Sequence, residues 1–197
     1  MANRTLLITG FEPFHQETIN PSWEAVAALP ETIVPWKLEK MRLPVVFGQA
    51  AELVLASAEE IHPDVILSVG QAGGRDAITP EVIAINLQNA SIPDNAGNQP
   101  HHLPIHPEGH DGYFATVPVR RMVDAAQEKG IPCKLSYSAG TYVCNDVFYR
   151  LLYHHRESGV QVGFIHVPFL PQQAKVGQPS MALEEMVRGL EAVISSL

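Results

Sequence analysis

The amino-acid sequence predicts an α/β fold: a single domain over 1–197, three layers thick, with an open, twisted, mostly parallel sheet and helices on both faces. Two observations lead there. Short apolar runs alternate with longer segments of helical spacing, the trace that βαβ units leave in a sequence. The chain is also 197 residues long, 46% hydrophobic and 17% charged, which suits one ordinary domain with a sizeable core and lacks the signature of disorder.

The elements follow in order. RTLLIT (4–9) is a first strand, and the loop GFEPFHQETI leads from it to Asn20, placed to cap a helix whose first position is Pro21. KLEKMRLPVV (37–46) alternates like a half-buried strand. GQAAELVLASAEEI then sets Ala51, Val54, Leu55 and Ala58 on one helical face. DVILSVG (64–70) is a continuous apolar run of the buried parallel type, and a short loop separates it from a further predicted strand, EVIAINLQ (81–88). The stretch 89–112, rich in proline, glycine and histidine, predicts an irregular loop. Beyond it the pattern gives a helix around VRRMVDAAQEKG, a strand CKLSYS (133–138), a helix VCNDVFYRLLYHHRE and a strand VQVGFIHV (160–167). The last helix, MALEEMVRGLEAVISSL, carries Leu183, Met186, Val187, Leu190, Val193, Ile194 and Leu197 on one core-facing stripe.

Charge and cysteine content narrow the function. Thirteen Lys and Arg against 21 Asp and Glu give a net charge of −8, so no broad basic surface is on offer to nucleic acid or an anionic membrane. The opening MANRTLLITGFEP has too short and interrupted an apolar run for a signal peptide or a membrane anchor. Cys133 and Cys144 are too few for a disulfide framework and fit a reducing compartment, so the cytoplasm is the expected location.

In open parallel sheets, ligands bind outside the carboxyl ends of the strands. Just past the predicted strand ends lie Phe11 and Phe14, Gln71 and Gly73, the segment AGTYVCN, and His166. If the strand after the short loop runs back antiparallel, Glu81 starts at the same rim. Cys144 follows the small-residue turn Ala139-Gly140 and opens a helix, where unsatisfied amides and the positive dipole end favour a thiolate and can hold an oxyanion. A histidine at a neighbouring strand end can take and return the proton, and a carboxylate can orient its ring. Each residue also has a plain reading: Cys144 as a small buried hydrophobe, Glu81 as a solvated charge, the phenylalanines as core. Cys133 takes the plain one.

These residues stand in five ordered blocks: TGFEPF (9–14) with Asn20-Pro21-Ser22; Gly70-Gln71-Ala72-Gly73 through Glu81 and IAIN (83–86); IPDN (92–95); SYSAGTYVCN (136–145); and GFIHVP (163–168). In them nearly the whole chain resembles the pyroglutamyl-peptidase I family, the pyrrolidone-carboxylate peptidases. The resemblance implies hydrolysis of the amide after an N-terminal pyroglutamyl residue, with Cys144 as nucleophile, His166 as base and then acid, and Glu81 orienting His166. It implies no metal or organic cofactor, pyroglutamyl peptides as substrates, and a homo-oligomer, often a tetramer. Phe11, Phe14, Ile92 and Tyr142 would wall the flat lactam, with Asn20 and Gln71 beside it. An ordinary N-terminus would have to bury its ammonium unpaired, at a cost of roughly several kcal/mol.

Three positions depart from the family's habit. His15-Gln16 replaces a Gly-Gly pair, where a positive φ is harder to adopt. Val82 replaces a basic residue. Ser91 replaces an arginine near the scissile carbonyl, which leaves open a slow enzyme, an inactive relative that keeps the pocket, or a substitute such as Arg75. Two other readings compete. A metal-dependent hydrolase could use His101, His102, His106, His110 and Asp111, but Pro104, Pro107 and Gly109 forbid the helix that would converge them. A nucleotide-binding module could use GQAGGR, but neither phosphate-loop fingerprint is present.

Overall fold

The computed structural model describes residues 4–197. A six-stranded sheet contains β1 (Arg4–Phe11), β2 (Thr32–Ile33), β3 (Trp36–Leu43), β4 (Val65–Gln71), β5 (Thr79–Pro80) and β8 (Gln161–Val167), in the order β2-β3-β1-β4-β8-β5. The central four strands are parallel, and the two short edge strands run antiparallel to their neighbours. A separate ribbon pairs β6 (Ile83–Ile85) with β7 (Gly112–Phe114). Among the described residues, five helices complete the fold: α1 (Pro21–Ala28), α2 (Gln49–Ile61), α3 (Val119–Glu128), α4 (Val143–His155) and α5 (Leu183–Ser195).

The two-residue period of a strand sorts the core into two halves. Leu6 and Ile8 of β1, with Leu67 of β4 and Ile165 of β8, pack with Val26 of α1, Met122 of α3 and Leu190 of α5. Leu7, Ile66 and Phe164 face the other way, onto Val54 of α2 and Phe148 of α4. Helices therefore cover both faces of a buried parallel sheet, as the apolar runs at 64–70 and 160–167 require. From β1 the chain steps to β3 on one side and then returns to β4 on the other, so a topological switch point lies between β1 and β4. A crevice opens outside their carboxyl ends.

Two predicted strands take a different form. EVIAINLQ divides: Thr79–Pro80 joins the main sheet, whereas only Ile83–Ile85 forms a strand, in the ribbon. The chain leaves the sheet between them, the amide of Glu81 binding the Phe164 carbonyl and that of Val82 the Ser136 carbonyl. CKLSYS is extended but makes two isolated bridges, Cys133 to Ile78 and Ser136 to Glu81. The reason is Pro80, which lacks the N–H needed between the Ile78 and Val82 hydrogen bonds and so interrupts the ladder. The strand predicted over 37–46 ends at Leu43, before Pro44. The short β2 hairpin strand carries no periodic signal in the sequence.

Candidate active site

The crevice is a cavity of about 490 Å³ lined by the ends of β1, β4 and β8 and by the start of α4. Phe11 closes β1, and Phe14 follows in the loop. Asn20 locks that loop to α1: its side-chain oxygen accepts from the Ser22 amide at 3.1 Å and hydroxyl at 2.8 Å, while its amide donates to the Glu12 carbonyl at 2.9 Å. The predicted helix cap is thus also a cavity wall. His15 sits at φ 57°, a left-handed conformation that costs a non-glycine residue roughly 1–2 kcal/mol.

The IPDN block is a brace for this loop. Asp94 accepts from the amides of Phe47, Ala96 and Asn98, and Asn95 donates to the Glu12 carboxylate at 2.8 Å and the Pro13 carbonyl at 3.0 Å. The Tyr142 hydroxyl donates to the Pro93 carbonyl at 3.0 Å, which sets its ring against Phe14 and Phe47. Phe11, Phe14 and Tyr142 therefore face the cavity as predicted walls. Ile92 does not: it is half-buried on the bracing loop, outside the cavity lining. Ser91 is exposed on the same loop.

Cys144 is the second residue of α4, and the residues after it seat that helix. Asn145, wholly buried, exchanges hydrogen bonds with Ile85 of β6 and donates to the Leu87 carbonyl. Asp146, equally buried, accepts from the Gly48 amide, the Gln88 side chain and Arg150. Tyr142, at the helix start, makes no side-chain cap. The first-turn amides have no intrahelical acceptor, so they are available to a negative oxygen beside the sulfur.

His166 lies near the end of β8, with its Nδ1 2.7 Å from Glu81 Oε1. A carboxylate only accepts, so Nδ1 carries the proton and Nε2 is left to exchange one. Glu81 is wholly buried and His166 nearly so. The turn after β4 adds Arg75, whose guanidinium binds Thr79 Oγ1, Glu81 Oε1 at 2.7 Å and the Ser138 carbonyl at 3.1 Å. The structure thus puts the guanidinium of Arg75, which the sequence alone cannot place, in the cavity wall beside Cys144 and His166.

Electrostatics sharpen the picture. Burial alone would raise the Glu81 carboxyl, but the His166, Ser136 and Arg75 contacts hold it below its ordinary value. Burial pushes His166 down, against the pull of Glu81. Burial, reinforced by the Glu81 charge, pushes the Cys144 thiol up to about 12. Both shifts favour the neutral forms, so a base that takes the thiol proton would activate the sulfur. Cys133, buried and pushed up to about 12 by that burial, has no such partner among its described neighbours.

Sequence reading missed Gln173, whose side-chain amide donates to Gln71 Oε1 at 3.2 Å and to Glu17 and the Ile19 carbonyl. It orients the predicted Gln71 from 102 residues away, a pairing no local pattern encodes. Gly70 has a motif signal and a physical reason. It pairs in register with His166 across β4 and β8, and a Cβ placed there would lie 2.9 Å from Cys144 Sγ and 2.9 Å from the Phe164 ring. Gly70→Ala should therefore push the sulfur aside, lowering kcat/KM by about 10²-fold for an overpacking cost of about 1–3 kcal/mol in stability. Steady-state kinetics beside a thermal melt check this; an unchanged rate would place the sulfur elsewhere.

Of the histidine loop, His106 stacks on Tyr153 at 3.9 Å between ring centres and His110 packs edge-on to Tyr113. Among the described residues, no group of three or more His, Cys, Asp or Glu side chains is arranged to hold a metal ion.

A buried carboxylate–imidazole pair and a helix-start cysteine at the carboxyl ends of a parallel sheet are suited to thiol-dependent hydrolysis on an α/β fold. The comparisons agree. A family model described as pyroglutamyl peptidase matches residues 4–197. The chain is 48% identical over 194 residues to a pyrrolidone-carboxylate peptidase of Lactobacillus helveticus, covering 97% of each, and 49% identical over 193 residues to one of Vibrio vulnificus, covering 97% of this chain and 91% of that one. The crystal structure of pyroglutamyl peptidase I from Bacillus amyloliquefaciens superposes with a TM-score of 0.94 at 40% identity, covering 98% of this chain and 96% of that one. A mutant pyrrolidone carboxyl peptidase from Pyrococcus furiosus gives 0.92 at 40% identity, covering 96% of each. The chain belongs to the pyroglutamyl peptidase family.

Proposed function

We propose that this protein is a cysteine exopeptidase that hydrolyses the amide bond after an N-terminal pyroglutamyl residue of peptides. The observation that carries the reading is the Glu81–His166 pair at 2.7 Å beside Cys144, in a cavity with aromatic walls and, among the described residues, no carboxylate in its lining. His166 Nε2 takes the Cys144 proton as Sγ attacks the carbonyl carbon, and the first-turn amides of α4 hold the oxyanion. His166 then gives its proton to the departing amine, leaving a thioester on Cys144. Water, deprotonated by the same nitrogen, releases pyroglutamate. Glu81 holds the ring and favours the imidazolium that forms midway.

Selectivity follows from charge. Among the described residues lining the cavity, the one permanently charged side chain is Arg75, a cation. A lactam N–H is uncharged and finds neutral partners in Gln71 and nearby backbone, whereas an α-ammonium is buried beside a like charge. A chromogenic pyroglutamyl anilide should exceed the matched glutamyl anilide in kcat/KM by about 10³-fold or more; a ratio near one would overturn the reading. Iodoacetamide should abolish that turnover and a chelator should not, and the reverse pattern would favour the histidine loop and a metal. The reading carries with it a cytoplasmic location, supported by two free thiols, and a homotetramer, supported by the family resemblance. No helix among the described residues is long and apolar enough to cross a membrane.

A further inference from the structure

We propose that Arg75 is a positioning residue of this reaction: its guanidinium holds Glu81 Oε1 against His166 Nδ1 and ties that pair to the segment that leads into the Cys144 helix. The proposal rests on the catalytic reading above. Its geometry is a fork. Nη1 serves Glu81 Oε1 at 2.7 Å and Thr79 Oγ1, while Nη2 donates to the Ser138 carbonyl at 3.1 Å. Thr79 in turn donates to the His166 carbonyl at 3.3 Å. One planar cation therefore contacts the turn after β4, the β5 segment and the chain entering α4, which between them carry or adjoin every reacting side chain.

Glu81 needs this second partner. Its Oε2 is buried without a hydrogen bond among the described residues, and its two close contacts, to His166 and to Arg75, both fall on Oε1 at 2.7 Å. Without Arg75, His166 is the one close partner left on Oε1, and the carboxylate can pivot about that contact and carry the imidazole with it. The fork removes that freedom from the acceptor side. Arg75 is a quarter exposed, which leaves its inner edge committed and its outer edge at the cavity wall.

The charge has a consequence with a definite sign. The titratable or charged groups facing the reacting pair are Glu81, Arg75, Cys144 and His166 themselves, with Tyr142 facing Cys144 from the start of α4. Arg75 offsets part of the attraction between Glu81 and a proton on His166. Without it, the imidazolium persists to higher pH, so the base is unavailable over a wider acid range. Loss of packing alone would lower the rate at every pH and leave the acid limb where it is.

The test measures kcat and KM on a pyroglutamyl anilide across pH for Arg75→Met and Arg75→Lys. Arg75→Met should lower kcat by about 10²-fold, leave KM within about threefold, and move the acid limb of kcat/KM up by about one pH unit. Arg75→Lys keeps the charge without the fork, so its acid limb should stay at the wild-type position while kcat recovers only in part. Should Arg75→Met fail to fold, Arg75→Gln carries the same expectations for the limb. A limb unmoved in the uncharged variant, or a lysine variant no better than it, overturns the proposal. Cys144→Ala is assayed alongside: if it still turns over substrate, the catalytic reading itself has failed, whereas an inert Cys144→Ala beside unmoved limbs sinks Arg75 alone.

Discussion

Replacing Cys144 with alanine should abolish turnover of a pyroglutamyl amide, by about 10⁵-fold or more, while leaving the fold in place. On the proposed mechanism the sulfur is the atom that forms the bond, and neither nearby candidate among the described residues replaces it: Cys133 lies in the other half of the core, and the Ser138 hydroxyl has no base beside it among the described contacts. The structural cost is small. Removing one sulfur from a residue at the cavity wall should change stability by about 1 kcal/mol or less and leave the seating of α4 by Asn145 and Asp146 untouched. Steady-state kinetics and a thermal melt on one preparation separate the two effects. Residual turnover near wild type would refute the assignment; a large fall in melting temperature would show that the loss was one of folding.

Replacing His166 with glutamine should be nearly as severe, about 10³–10⁴-fold in kcat. Glutamine is the informative choice because its amide still donates to Glu81, so the buried carboxylate is not left with Arg75 as its only strong partner. The pH dependence should change in kind. In the wild type, activity should fall toward acid as His166 takes a proton. In the variant, the thiol must ionise unaided, and burial holds it near 12, so the residual rate should climb with pH through the alkaline range without a plateau. A variant that keeps the wild-type acid limb would assign that limb to another group. Glu81→Gln should cost less than either, since the orienting contact to His166 Nδ1 survives in weakened form.

Much of this was legible in the sequence because local physics encodes it. Asn20-Pro21 announces a helix start, the runs at 64–70 and 160–167 announce buried parallel strands, and their carboxyl ends mark the rim where Phe11, Gln71 and His166 meet. What stayed hidden depends on distance or reach. Nothing in GQAGGR tells which way a long, flexible arginine side chain turns, yet that direction puts Arg75 on Glu81. Gln173 finds Gln71 across 102 residues. The strand predicted over 133–138 failed because the missing hydrogen-bond donor is on the neighbouring segment, at Pro80, rather than in the strand itself. Ile92 looked like a wall because of the motif it opens, but Pro93 and Asp94 of that motif act by bracing Tyr142 and the Phe47 amide. The helix start favours a thiolate at Cys144, whereas the burial that the fold imposes works the other way, and only the fold shows that burial.

The central claim is that Cys144 Sγ attacks the carbonyl of a bound pyroglutamyl group. Its most direct test is inactivation by a pyroglutamyl chloromethyl ketone, in which the sulfur displaces chloride and forms a stable thioether as the thiol proton leaves through His166. Peptide mapping by mass spectrometry should find one label per chain, on the peptide carrying Cys144, appearing in step with lost activity. Full inactivation with the label on Cys133 or another side chain, or undiminished activity once Cys144 is labelled, would contradict the account.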